Sequence, residues 1–582
     1  MPTSKKHGTQ PAASGYEYEN DHKGLNIMAV ETSVALENSP RLRKENVTVI
    51  AASSVASVFE WFDFFLYGAL AVVISRNFFS GVNETTAFVL ALLAFAAGFA
   101  VRPFGAIVFG FFGDLLGRKK TFLVTLALMG LATFCVGLLP TYDQIGAAAP
   151  WILVGLRMLQ GLSVGGVYGG AATYVAEHVD RHRRGFFTSW IQITATVGMA
   201  LSLATIFATR TLVGEESFNQ WGWRIPFLLS ILLLGVTIWI QVRLSESPVY
   251  LEMKASGKAS KQPLADALGN WTNLRLILIA LFGAMVGQAV IWYAAQFYVF
   301  FFMERILKVD AALTNLLVAV ALVISTPLYV FFGWLSDRVG RRPVILGACL
   351  LAALTYFPLF KALTAAANPA MAHAVASAPV TVLADKKECT FQFDPIGTAK
   401  FSSSCDIARS YLARAGVSYT TEPAPAGSLA QLRVGAHTLD SFRGDVLSIG
   451  QLKAARADWE KKAAALVADS GYPLKADREQ INVPLVLLIL VILMSFSAMV
   501  YGPMAALLTE LFPAKVRYTS MSLPYHLGTG WFGGFLPPVA FAIVAATGNI
   551  YSGLWYPLIG ALLTLICGLL LLPETKGRDL RG

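Results

Sequence analysis

The chain has 582 residues, of which 55% are hydrophobic and only 14% charged, and its formal net charge at pH 7 is +10. A soluble chain of this length divides into several domains with much more charge on their surfaces, so soluble enzymes and soluble binding modules are excluded. The mean hydropathy of +0.57 comes from recurrent apolar runs of about 18 residues or more, each long enough to cross a bilayer as a helix.

Residues 1–46 are polar and mixed in charge, without the short apolar core and cleavage site of a signal peptide. They are expected to form a disordered cytoplasmic tail. Twelve spans follow, at 47–75, 86–112, 121–140, 149–176, 184–211, 222–243, 274–302, 312–336, 342–364, 482–509, 518–546 and 550–573. Lys and Arg collect in alternate short loops: Arg118, Lys119 and Lys120, then Arg181, Arg183 and Arg184, then Arg338, Arg341 and Arg342, then Lys515 and Arg517. That bias places these loops, both termini and the 574–582 tail in the cytoplasm. The charge is therefore a topological signal, and no nucleic-acid partner is expected.

The chain repeats. GFFGDLLGRKK (110–120) matches GWLSDRVGRR (333–342), with Asp114, Gly117 and Arg118 each 223 residues before Asp337, Gly340 and Arg341. Glu177 and Arg184 precede Glu510 and Arg517 by 333, so about 110 residues have entered the second half between these pairs. A third echo sets SESP (245–248) against PETK (573–576). The expected organisation is all-α: a six-helix half at 47–243, a cytoplasmic linker at 244–273, and a second half split into 274–364 and 482–573. Such a repeat is a transporter architecture, with its cavity between the halves near the midplane.

Residues 365–481 are polar and cannot span, so they are expected to form a small external α/β insertion. CDIARSYLARAG (405–416) and ADWEKKAAALVADSG (457–471) read as helices and VSYTT (417–421) as a strand. Cys389 and Cys405 are the two cysteines outside the spans. In an oxidising exterior they could pair, or stay free thiols; Cys135, Cys349 and Cys567 read as packing.

EWFDF (60–64), RPFGAIVFGFFGDLLGRKK (102–120), RMLQGLSVGGVYGGAATYVAEHV (157–179), LSESPVYLEMKASGK (244–258) and YGPMAALLTELFPAKVRYTSMSLPYHLGTG (501–530) carry a resemblance. The chain resembles the metabolite:H+ symporter branch of the major facilitator superfamily, which includes bacterial permeases for α-ketoglutarate, citrate, shikimate and proline/betaine. The resemblance implies an inner-membrane secondary transporter that works without a cofactor, with protons as the coupling ion. One departure stands out: branch members usually carry an acid after the paired glycines of the fourth helix, where this chain has Val167.

Glu60, Asp63 and Tyr67 share one face of the first span. A carboxylate at that depth costs several kcal/mol unless it faces a wet cavity, meets a cation or stays protonated. Arg102 and Arg157 are the intramembrane cations available to them. A carboxyl group that exchanges between burial and a cation can carry a proton, so Asp63, Glu60, Arg102 and Arg157 are the candidate coupling groups. The alternative is a static ion pair that fixes helix packing. Substrate candidates are Tyr67, Arg157, Gln160 and Tyr168 in the first half, and Gln288, Trp292, Tyr293, Gln296, Tyr525 and His526 in the second. An arginine can grip a carboxylate bidentately, or serve only Asp63. Asp114, Gly117, Arg118, Glu177 and Arg184, with Asp337, Gly340, Arg341, Glu510 and Arg517, are expected to form conformational latches at helix ends.

Gly161, Gly165 and Gly169 recur every four residues, as do Gly166 and Gly170. That is a helix-packing pattern, and no Walker lysine follows it. No metal-ligand spacing and no nucleophile–base constellation is visible, so no metal and no enzyme activity are expected. The sequence is read as a monomeric proton symporter importing a small organic anion or zwitterion. A proton-independent exchanger or uniporter of the same substrates remains open because of Val167, and a transporter-like sensor using the insertion is the third reading.

Overall fold

A computed structural model describes residues 40–80, 84–242, 246–257, 260, 262–390 and 401–580. The expected tail as far as residue 39, residue 243 of the first half, parts of the linker (244, 245, 258, 259 and 261), 391–400 of the insertion and Arg581 lie outside the described residues. The described chain starts at Pro40 already helical, so the first helix reaches back past the expected boundary at 47.

Among the described residues, twelve helices are long and apolar enough to cross a membrane. In order they are Ser53–Phe78, Leu93–Leu116, Arg118–Leu138, Ala148–His178, Arg184–Val213, Arg224–Val242, Trp271–Ile306, Ala311–Val339, Arg341–Ala367, Val483–Leu511, Ala514–Thr547 and Ser552–Leu571. We call them spans one to twelve. The halves meet through span two against span eleven and span five against span eight, two contacts that the six-plus-six repeat makes equivalent.

Small residues set how closely the helices approach. A Cβ on Gly161 would lie 2.0 Å from the Gly98 carbonyl oxygen, and one on Gly165 would lie 2.4 Å from the Ala106 nitrogen, so spans two and four touch backbone to backbone. The repeated motif glycines do the same between halves: a Cβ on Gly110 would meet Thr519 Cα at 2.7 Å, and one on Gly333 would meet Ser189 at 2.5 Å. Gly117 and Gly340, with φ of 115° and 108°, adopt a backbone that disfavours side chains. Each lets the chain turn from one span into the next.

Spans seven and eleven are irregular. Span seven contains π-helical turns at Leu281–Met285, Ala294–Tyr298 and Phe302–Ile306, and span eleven one at Leu527–Gly533. Span ten breaks after Tyr501 and resumes at Met504. Such interruptions re-aim side chains and are frequent at functional sites.

Between spans nine and ten lies a folded α/β unit. Its elements are α1 (Pro369–Ser377), β1 (Val380–Ala384), α2 (Ser404–Ala415), β2 (Tyr419–Pro423), β3 (Gln431–Val434), β4 (His437–Asp440) and α3 (Ile449–Asp469). The sheet order is β2-β1-β3-β4, with β1 parallel to β2 and both other pairs antiparallel. Ser403 caps α2 and Gly416 ends it in the left-handed conformation, so the expected helix is present one residue early. The strand expected at 417–421 lies at 419–423, and the helix expected from 457 begins at 449. Cys389 and Cys405 are joined by a disulfide.

The insertion docks on the second half. Tyr419 N donates to Gly548 O at 2.7 Å and Tyr419 OH to Ala545 O at 2.8 Å, while Ala476 N donates to Lys308 O at 3.0 Å. Its two ends are tied together by Asn482 N donating to Ala366 O at 2.9 Å.

The helix contact generates a test with an internal control. Gly161→Ala puts a methyl where the Gly98 carbonyl sits, and we expect a loss on the order of 3 kcal/mol for such overpacking. Gly155, on the same span with nothing within 4 Å, should accept alanine without change. Thermal-shift measurements on the two purified variants check both outcomes.

Candidate functional site

The acidic face of span one opens on a cleft lined by Glu60, Asp63, Phe64, Phe99, Arg102 and Arg157, with a cavity volume of about 20 Å³. It is narrow in this state and admits water rather than a metabolite. Three donors converge on the Asp63 carboxylate: Thr133 Oγ1 at 2.9 Å, Gln160 Nε2 at 2.9 Å and Arg157 Nη1 at 3.4 Å. Glu60, one turn earlier, is also buried but forms no ion pair among the described residues. The two acids of one motif therefore sit in different surroundings.

The arginines differ too. Arg157 lies 3.7 Å over the Tyr67 ring as well as against Asp63, yet its Nε and Nη2 have no hydrogen-bond partner among the described residues. Arg102 lies over Phe99 at 4.3 Å and Phe64 at 5.8 Å, with Nε unpartnered. Aromatic faces hold a desolvated guanidinium by cation–π attraction while leaving its N–H groups available. Tyr67 itself is wholly buried, stacks on Phe95 and donates to Ala91 O at 3.1 Å. It supports Arg157 and does not line the cleft.

Aromatic groups close the centre of the molecule across the two halves. Trp61 of span one meets Trp292 of span seven at 5.5 Å between ring centroids. Tyr168 of span four stacks on Tyr525 of span eleven at 3.6 Å and an interplanar angle of 5°. Tyr525 and Tyr501 share a hydroxyl hydrogen bond of 2.6 Å, and Gln192 Nε2 donates to Tyr168 OH at 3.0 Å. Trp292 and Gln296 lie beside the Tyr329 hydroxyl, which also bonds Ser497 at 3.1 Å. Tyr293 packs on Trp292 and Phe297.

The remaining candidates fall elsewhere. Gln160 belongs to the Asp63 cluster, and His526 is fully buried beside Gly165 of span four. Gln288 is buried with its Oε1 unpartnered among the described residues. Val167 lies in the hydrophobic core at 0% exposure, away from the cleft lining. Thr133, Gln192, Tyr329 and Tyr501 were not among the sequence candidates. A threonine or glutamine inside an apolar span was the available signal, and it does not say which neighbour it serves.

At the end bearing the basic loops, the halves are tied by a crossed network. Asp114 pairs with Arg118 at 2.7 Å and accepts from the backbone N–H groups of Tyr518 and Thr519, at 3.2 and 2.9 Å, where span eleven begins. Asp337 pairs with Arg341 at 2.6 Å and accepts from Gly185 and Phe186 N, at 2.8 and 2.7 Å, where span five begins. Glu177 binds Arg517 at 2.7 Å and Glu510 binds Arg184 at 2.8 Å, each pair crossing between halves. Ser247 donates to Glu177 and Thr575 to Glu510. Glu246 accepts from Lys119 N at 3.0 Å and Glu574 from Arg342 N at 3.1 Å, so the SESP and PETK echoes both cap a helix start. This end is shut.

A charged cleft among spans one, two and four of the first half, in a bundle whose two six-helix halves are tied at one end by matched charge networks, marks a two-half membrane transporter fold. The chain belongs to the sugar (and other) transporter family of the major facilitator superfamily, whose profile matches residues 47–274 and 463–582. It is 34% identical to the proline/betaine transporter of Salmonella typhimurium over 334 residues, 55% of this chain and 65% of that protein. It is 35% identical to the shikimate transporter of Escherichia coli, covering 54% of this chain and 72% of that one. The matched residues span just under two thirds of the proline/betaine relative. Among solved structures, the proton:xylose symporter XylE bound to 6-bromo-6-deoxy-D-glucose aligns with a TM-score of 0.61 at 14% identity, over 93% of this chain and 98% of that one. A partially occluded inward-open form of XylE from E. coli aligns at 0.55 and 14%, over 92% of this chain and all of that one. At this identity the likeness is one of fold.

The geometry of this charge network predicts the effect of a neutral substitution. Glu510→Gln leaves Arg184 and Arg341 buried without their shared carboxylate, a loss of about 3 kcal/mol for a broken buried pair. The arrangement with this end shut should lose population roughly hundred-fold. Spin-label distances between the basic-loop ends of spans five and eight should lengthen.

Proposed function

We propose that this protein imports a small organic anion or zwitterion, a carboxylate metabolite or osmolyte, by proton symport with alternating access. The observation that carries the reading is the unequal treatment of two adjacent acids. Asp63 is held by three donors, whereas Glu60 lines the same cleft without an ion pair among the described residues, near Arg102. Glu60 is then the group that loads a proton when the cleft opens outward, and Asp63 holds Arg157 in place. The free N–H groups of Arg102 and Arg157 offer two points for a substrate carboxylate. The named substrates of the relatives, proline, betaine and shikimate, are chemically of that kind.

In this reading both termini and the latches are cytoplasmic and the insertion is periplasmic, as the Lys/Arg bias suggests. The disulfide between Cys389 and Cys405 suits that compartment. A proton-independent exchanger is the second reading, because a buried valine at position 167 cannot titrate.

Proteoliposomes separate the two. In symport, radiolabelled uptake screened over carboxylates, betaines and amino acids accumulates substrate uphill, and a protonophore abolishes that accumulation. Glu60→Gln should reduce uphill uptake to equilibration while sparing counterflow of preloaded substrate. Asp63→Asn should lower both, since it leaves Arg157 uncompensated. Uphill uptake that survives Glu60→Gln and the protonophore would overturn proton symport in favour of exchange.

A further inference from the structure

The insertion is more than a folded bulge, because its disulfide occupies a particular place in its topology. β1 leads through a loop into α2, which returns the chain to β2 parallel with β1. Cys405 stands in the first turn of α2, two residues after the cap Ser403, and Cys389 lies in the loop beyond the end of β1. Cysteines at the start of a helix that follows a strand are placed for thiol chemistry, because the helix N-terminus stabilises a thiolate. Glu388 and Asp406 beside the pair moderate that gain.

Two further observations separate this disulfide from a structural staple. Hydrogen bonds alone already hold the two cysteine-bearing segments together. Thr390 N and Oγ1 both donate to Asp406 at 2.8 Å, Ser403 Oγ donates to Glu388 O at 2.6 Å, and Ser404 Oγ donates to the Glu388 carboxylate at 3.1 Å. The start of α2 is tied to the sheet as well, with Ala430 N donating to Ser404 Oγ at 3.0 Å and Ser441 Oγ to Ser404 O at 2.8 Å. Opening the disulfide therefore leaves the two sulfurs side by side, at the high effective concentration that lets the bond re-form.

Cys389 also lies beyond the end of β1 that is remote from the anchor on the bundle. Tyr419, the first residue of β2, is the anchor on Gly548, and Val380 at the start of β1 lies opposite it. Both strands run outward from that anchor. α2 touches the bundle through Arg409, whose Nη2 donates to Ala546 O at 2.5 Å, and at its end, where Gly416 packs on Arg305 and Ile306. Cys389 is partly exposed, whereas Cys405 is fully buried.

We propose that Cys389 and Cys405 form a thiol–disulfide exchange site, facing the aqueous phase and open to a low-molecular-weight thiol. The thiolate attacks Cys389 Sγ, forming a bond to that sulfur as the Cys389–Cys405 bond breaks. The electron pair leaves on Cys405 Sγ. A second thiolate attacks the small-molecule sulfur of the mixed disulfide, releasing the oxidised thiol and leaving Cys389 as thiolate; both cysteines take protons from water. Two electrons pass from two thiols to the protein disulfide, and the reverse sequence re-forms it.

The test uses the full-length protein in nanodiscs with glutathione as the thiol. Buffers of varied oxidised-to-reduced ratio are followed by alkylation and peptide mass spectrometry, which separates Cys389 and Cys405 from Cys135, Cys349 and Cys567. The pair should pass reversibly between fully blocked and fully alkylated, with resistance of the insertion to limited proteolysis unchanged. Cys405→Ser should trap glutathione on Cys389 at least about tenfold faster than Cys389→Ser traps it on the buried Cys405. A pair that stays oxidised throughout, that opens only with loss of protease resistance, or that shows no preference for Cys389 would overturn the proposal and mark the bond as structural.

Discussion

The fold depends on one device used twice: a carboxylate on one half placed at the start of a helix on the other. Asp114 accepts the first backbone N–H groups of span eleven, and Asp337 those of span five. Helix starts carry unpaired donors and a partial positive charge, so each aspartate supplies what the opposite half lacks. Each is also bound to the arginine four residues on, which keeps its charge compensated when the halves part. The contact can break without stranding a bare buried charge, as the proposed alternating access requires.

Glycine makes this device possible. Gly110 and Gly333 let the motif helices come close enough to the other half for an aspartate to reach backbone, and Gly117 and Gly340 turn the chain so that the arginine folds back on it. Deeper in the bilayer the same principle brings span two onto span four. Arg102 and Arg157 belong to those two spans and flank one cleft. Charge is concentrated in the first half, while aromatic and hydroxyl groups supply the second half's share. The stack of Tyr168 on Tyr525 joins them at the centre.

Much of this was legible from spacing. A repeat of Asp, Gly and Arg at fixed intervals located the loops whose charges meet between the halves, and a glycine every four residues indicated a close helix contact. What spacing could not supply was pairing between distant segments. Glu177 and Arg184 lie near one another in sequence, yet each finds its partner in the other half, at Arg517 and Glu510. Thr133 serves Asp63 from 70 residues away, and an isolated threonine in an apolar helix gives no hint of that. The sheet of the insertion was missed for a related reason. Strands of four or five residues such as β3 and β4 carry too few side chains for an alternating pattern to stand out, and only their hydrogen-bonded neighbours define them.

The ends of the insertion meet where span nine leaves and span ten begins, held by a single backbone hydrogen bond between Ala366 and Asn482. For the bundle, the whole unit is therefore equivalent to a tight turn joining two neighbouring helices. A loop whose ends are fixed costs little more as it lengthens, and a module with adjacent ends can be accommodated without moving its host. The membrane part and the inserted module are thus free to change on separate evolutionary schedules, one constrained by the packing of the two halves and the other by its own sheet and helices.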